Sequence, residues 1–180
     1  MSNEENTTKR QQRIQELIGD LGSKNERKIV GALKRIPHEG SPAMMEALFN
    51  LYAQSPSEEV ELLLEKVVHN LKDPACVDPI IDLLSRKDKQ EQHPMIIGAL
   101  WQSGLDVSEH VEFLIERAID GSFLTAIEVM TVIENQEFDN DDALTKAIQA
   151  MDKAVEKKGE KQDLLVSLRQ ILLDKLLGEQ

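Results

Sequence analysis

The sequence predicts an all-α chain: about ten helices in about five antiparallel pairs, wound as a right-handed superhelix of the solenoid type. Three observations predict it. Apolar residues recur at spacings of three and four, as in Ile29, Leu33, Ile36 and again in Leu64, Val68, Leu71, and no stretch alternates as a strand would. The string Ile29-Val30-Gly31-Ala32-Leu33 returns nearly unchanged as Ile96-Ile97-Gly98-Ala99-Leu100, an offset of 67 residues that reads as about two repeat units. Helix-stop and helix-start signals also follow each other closely, so loops are short and consecutive helices should be antiparallel neighbours.

Taken in order, the pattern places residues 1–6 in a disordered tail and helices over 7–21, 24–36, 42–54, 57–71, 74–86, 92–103, 107–120, 122–134, 140–158 and 161–177, with 7–180 forming one domain. Ser23-Lys24-Asn25-Glu26 and Ser55-Pro56-Ser57-Glu58 read as capping boxes, in which a hydroxyl and a carboxylate each satisfy one orphan backbone N–H. Asp106-Val107-Ser108-Glu109 follows the same logic with an aspartate cap. Ser41-Pro42 and Asp73-Pro74 pair a cap residue with a proline at the first turn, where its missing N–H costs nothing. Gly22, Gly40, Gly104, Gly121 and Gly159 fall in the gaps.

Aligning the even-numbered helices on one apolar residue gives the anchors Leu33, Val68, Leu100, Met130 and Leu168, spaced by 35, 32, 30 and 38. The segment Asp73-Pro74-Ala75-Cys76-Val77-Asp78-Pro79-Ile80-Ile81-Asp82-Leu83-Leu84 resembles a HEAT repeat, with its Asp-Pro, Val, Pro and paired aliphatics and one extra residue before the second proline. Ala32-Leu33 and Ala99-Leu100 match the Ala-Leu of that family's second helix, and Arg27 stands where the second helix usually carries arginine. The other repeats have Leu62, Pro94, Leu124 and Gln162 there, so the family's basic ladder is mostly missing. The period is also shorter than the HEAT length and nearer that of tetratricopeptide repeats, whose Trp-Leu-Gly-Tyr spacing is absent. The resemblance spans about residues 7–177. It implies a HEAT-like α-solenoid whose second helices line a concave binding face.

Composition narrows the function. Aromatics are 3% of the 180 residues, so the core must be aliphatic. Net charge is −12, unevenly spread: residues 1–40 carry eight Lys/Arg against six Asp/Glu, and residues 41–180 carry thirteen against twenty-seven. An acidic body repels nucleic acid and anionic membranes, and neither is expected as a partner. No apolar run approaches the ~20 residues of a membrane span. The polar start shows no apolar core of a signal peptide, and Cys76 is the single cysteine, so a reducing, cytoplasmic setting is expected.

At 100° per residue, the anchor and positions −4, −1 and +3 point inward, while +1, −2 and −6 point outward. The +1 row reads Lys34, His69, Trp101, Thr131, Arg169. Arg27 and Lys66 share its sector, and Arg35 borders it. These eight are the candidate partner-binding residues: a mainly basic stripe with the only tryptophan, a composition typical of interaction hot spots. Gly31 and Gly98 lie on the same face, where bare backbone permits either close partner approach or helix packing.

Catalytic chemistry finds little purchase. HEAT-like iron hydroxylases resemble a ring of His-Glu dipeptides; this chain has one, His38-Glu39, and His69, His93 and His110 fall on other turns and faces. Neither metal nor cofactor is expected. The HEAT-like DNA glycosylases need a basic, aromatic groove, and the related bilin lyases offer only a generic likeness. Cys76 reads as a small buried hydrophobe, and Asp139-Asn140-Asp141-Asp142 as an acidic helix start lacking the glycine and closing glutamate of a calcium loop. The expected function is a non-enzymatic protein-interaction scaffold with a protein partner. The alternative is an enzyme of these types or an accessory subunit of one.

Overall fold

The computed structural model describes residues 2–157 and 159–178, with side chains from Asn6 onward except Glu39. Met1, Lys158 and the last two residues, assigned by sequence to the tail, the ninth helix and the domain's end, lie outside the described residues. Among the described residues the structure is all-helical, with ten α-helices and no strand. They are α1 (Ser2–Leu21), α2 (Glu26–Glu39), α3 (Met45–Tyr52), α4 (Glu58–His69), α5 (Val77–Ser85), α6 (His93–Ser103), α7 (Val111–Asp120), α8 (Phe123–Asn135), α9 (Asp141–Val155) and α10 (Gln162–Leu177).

Boundaries differ from the sequence reading where local chemistry overrides pattern. Helix α1 begins at Ser2, ahead of the start at residue 7 read from the pattern. Pro37 does not end α2: its ring already holds a helical φ, and only one bond of the last turn is lost before Gly40 N–H closes on the Ile36 carbonyl at 2.7 Å. Asn25, not Ser23, caps α2, its Oδ1 accepting from Arg27 N–H at 3.0 Å. Ser57 stands at the N-cap of α4 but makes no side-chain cap bond; its hydroxyl donates instead to Glu26, tying the starts of α2 and α4 together. The caps at Ser41 and Asp73 are formed as expected, accepting from Ala43 and Ala75 N–H at 3.4 and 3.0 Å; Asp106 accepts from Ser108 N–H at 2.9 Å but stands one residue before the N-cap position, Val107, which has no side-chain cap bond. All three precede a short 3-10 turn that leads into an α-helix. Asn140 caps α9, with Asp141 and Asp142 in the first turn beside the helix's positive end.

The chain divides into two compact units, one up to Ser85 and one from Arg86. In the first, α1 packs on α2 and α3, α3 on α4 and α5, and α2 on α4. Odd helices therefore make one row and even helices another. Its core is aliphatic apart from Phe49: Leu17, Leu21, Leu33, Met44, Leu48, Leu64, Ile80 and Leu84 are fully enclosed. In the second unit, α6, α8 and α10 pack in succession, α7 packs on α9, and the rows meet through α7–α8 and α9–α10. Ile96, Ile97, Leu100, Leu114, Val129, Leu144, Met151 and Leu168 fill the space between. Of the five anchors, four are buried. Met130 is only half-buried and Val129 takes its place, a one-residue rotation of α8 driven by Thr125, Ala126, Val132 and Ile133 facing inward with it.

Helix ends in the second unit are closed by side chains from distant helices. Lys161, at the start of α10, donates to the carbonyls of Ala118, Ile119 and Gly121 at 2.9, 2.8 and 2.6 Å. One ammonium thus satisfies the C-terminal end of α7, and burial pulls its pKa below the ordinary lysine value. Lys175 does the same for α8 through Glu134 and Gln136 carbonyls at 3.1 and 2.9 Å. Replacing Lys161 by Met keeps the stem and strands three acceptors. Lys161→Met should lower unfolding stability by about 1–3 kcal/mol in urea titrations.

His93, the first residue of α6, is 2% exposed. Burial, aided by the positive charge of Arg117, pushes its pKa below the ordinary 6.5, outweighing a hydrogen bond to the Arg86 backbone that acts the other way. The folded state therefore holds His93 neutral while the unfolded chain binds a proton near pH 6.5. Its contribution to stability is complete above that pH and is lost as pH falls toward the lowered folded value. Thermal melts between pH 7.5 and 5.5 should show this decline, and His93→Gln should flatten it.

Candidate functional site

The eight sequence-predicted residues divide between the two units. In the first, Arg27, Lys34 and Arg35 lie on α2, and Lys66 and His69 on the last turn of α4. Arg27, Lys34 and Lys66 are exposed, while Arg35 and His69 are half-buried. Because α2 packs against α4, the structure places these five on neighbouring helices of one row. The inward positions agree with the wheel: Ala32, Leu33 and Ile36 on α2 and Leu64, Val67 and Val68 on α4 are buried. Leu62 is 53% exposed one turn before Lys66, adding an apolar group to the basic face.

In the second unit the three candidates have internal partners. The half-buried Trp101 donates its indole N–H to the Glu128 carboxylate at 3.0 Å. Its immediate charged neighbour is thus an acid on α8. Thr131 donates its hydroxyl to the Ile127 carbonyl one turn back at 3.1 Å, and Arg169 pairs with Asp152 on α9 at 2.5 Å. The exposed apolar groups near the starts of α8 and α10 are Phe123, Leu124 and Val166, among exposed polar ones such as Glu134, Asp163 and Gln170.

The repeated pentapeptide meets different surroundings in its two copies. A Cβ added to Gly31 would meet nothing within 4 Å. A Cβ added to Gly98 would lie 3.1 Å from the Glu128 carboxylate, which occupies the bare backbone that a partner would otherwise approach. Gly98 therefore lies in packing contact with the Glu128 carboxylate that accepts from Trp101. Gly31→Ala should raise unfolding stability by about 0.5–1 kcal/mol through helix propensity alone. Gly98→Ala should gain less and shift Trp101 fluorescence as Glu128 is displaced.

A cleft of about 350 Å³ opens in the first unit where α2 and α4 end and the turns at Ser41-Pro42 and Asp73-Pro74 begin. Ile36, Met45, Val67 and Leu71 supply apolar lining; His38, Lys66, Lys72 and Asp73 supply the charged and titratable groups. Asp73 is already engaged as a cap. Cys76 is buried at the cleft, and burial, with the Asp73 charge second, raises its thiol pKa, so it is held as a neutral thiol. Sequence reasoning named Lys66, His38 and both cap pairs separately. What joins them is the packing of α2 on α4, which the periodicity does not specify. No group of three or more His, Cys, Asp or Glu side chains suited to a metal ion occurs among the described residues, and no helix among them is long and apolar enough to cross a membrane.

Comparison with protein-family models, curated proteins and solved structures finds no match.

Proposed function

We propose that this chain is a non-enzymatic protein-interaction scaffold, a short HEAT-like α-solenoid that presents the outer face of its even-numbered helices to a partner in a reducing compartment. The observation that carries the reading is the exposed row Arg27, Lys34, Leu62 and Lys66 on the adjacent helices α2 and α4. Cationic groups flank an apolar one on a chain of net charge −12. Such a patch suits an acidic segment with an apolar anchor, because the opposite charges steer encounter and the apolar contact holds the complex. The alternation of odd and even rows within each unit supports a solenoid, since that packing is what stacked helix pairs produce. On this reading Trp101, Thr131 and Arg169 stiffen the second unit through their internal bonds, and partner contacts there fall to Phe123, Leu124 and Val166.

The test is affinity capture with wild type, Lys34→Glu/Lys66→Glu and Leu124→Asp baits, each first shown by circular dichroism to fold. The double charge reversal should release the partner, with affinity reduced by about tenfold or more. Equal recovery by all three baits would remove this face as the binding surface.

A further inference from the structure

The junctions between successive helix pairs are built alike but finished differently. In the second unit, the residue that ends α8 is Gln136. Its buried side chain crosses to the loop after α6, accepting from Val107 N–H at 3.1 Å and donating to the Leu105 carbonyl at 3.2 Å. That junction is plugged by one amide. In the first unit, the residue that ends α4 is Asn70. Its amide is one methylene shorter and folds back on its own helix, donating to the Lys66 carbonyl at 2.8 Å. The space between the ends of α2 and α4 is left as the cleft of about 350 Å³.

We propose that this cleft is a binding site for a small organic anion, a carboxylate on an apolar body. Its volume lies within the roughly 300–1,000 Å³ of small-molecule sites, which are mostly apolar with a few placed polar groups. Ile36, Met45, Val67 and Leu71 receive the apolar body. Lys66, exposed at the mouth, pairs with the carboxylate, and His38 adds a second donor. The lining carries two lysines, Lys66 and Lys72, against one acidic side chain, Asp73, so its net charge is positive although the protein as a whole is acidic. The site lies wholly within the first unit and shares Lys66 with the proposed partner face, but its test reads the cleft methyls and not the capture of a partner.

Methyl-resolved NMR titration of the full chain tests it, with octanoate as the probe, octanol as its neutral counterpart and N-acetyl-Ala-Ala-Leu as a peptide carrying the same chemistry at a chain end. Octanoate should bind with roughly millimolar affinity, shifting the methyls of Ile36, Met45, Val67 and Leu71. Lys66→Gln should weaken it about three- to five-fold without changing octanol binding. Asn70→Gln, which supplies the longer amide of the plugged junction, should weaken both. Both substitutions are at exposed positions, and unchanged melting temperatures would show that the fold is kept. Octanol binding as tightly as octanoate would overturn the anion assignment. Tighter binding of the acetylated tripeptide would reassign the cleft to a peptide terminus. Absence of shifts at these methyls would overturn the site itself.

Discussion

A chain cut into short helices multiplies helix ends, and each end leaves four backbone groups without an intrahelical partner. That constraint shapes this molecule more than any single contact. At N-termini it is met locally, by Asn25, Ser41, Asp73, Ser122 and Asn140, each within a few residues of the N–H it serves. At C-termini it is met at long range in the second unit, where Lys161, Lys175 and Gln136 reach back to elements more than 25 residues earlier or to the end of a neighbouring helix. These side chains hold one helix pair to another as well as closing an end. An ammonium suits the task, because a cation complements the negative end of the helix dipole while offering three donors to clustered carbonyls.

The aliphatic core follows from the same division into short helices. Nine of the ten α-helices have eight to sixteen residues and so only a few apolar turns each, and those turns carry Leu, Ile, Val, Met and Ala almost throughout. Such side chains fill the space between rows without the directional demands of rings. Phe49 is the exception among the fully enclosed residues. Trp101 sits at the margin of its core, its ring half-covered and its N–H turned to Glu128, the arrangement expected of an aromatic with a polar handle.

Helix existence and order were legible because they rest on local periodicity and turn chemistry, which one stretch of chain contains in full. The caps at Ser41 and Asp73 were legible for the same reason. Misassigned details are those in which two local solutions compete: Ser23 against Asn25 and Ser55 against Ser57 as the cap, and residue 36 against Glu39 as the last of α2. The outward face was legible on α2 and α4, whose inner stripes are plain. It was less so on α8, where Met130 and Val129 are equally good anchors by pattern and only packing chooses between them. The partners of Trp101, Thr131 and Arg169 were unreadable in different ways. Glu128 is 27 residues from Trp101 and Asp152 is 17 from Arg169, and both pairs depend on the register between packed helices.

The two copies of the repeated pentapeptide show why sequence identity within a repeat does not carry a role with it. Gly31 and Gly98 occupy the same position of the same string, yet one faces open space and the other lies under a carboxylate. The difference originates on the next even helix, where α8 offers Glu128 to the tryptophan that follows Gly98, and α2 has Lys34 where that tryptophan stands. The same divergence separates Asn70 from Gln136: equivalent helix ends, a side-chain difference of one methylene, and a junction that is open in one unit and plugged in the other. The proposed partner face and anion site fall on such departures from the repeat. The exposed basic row of α2 and α4 and the cleft at their ends are both departures of this kind, and both fall in the first unit.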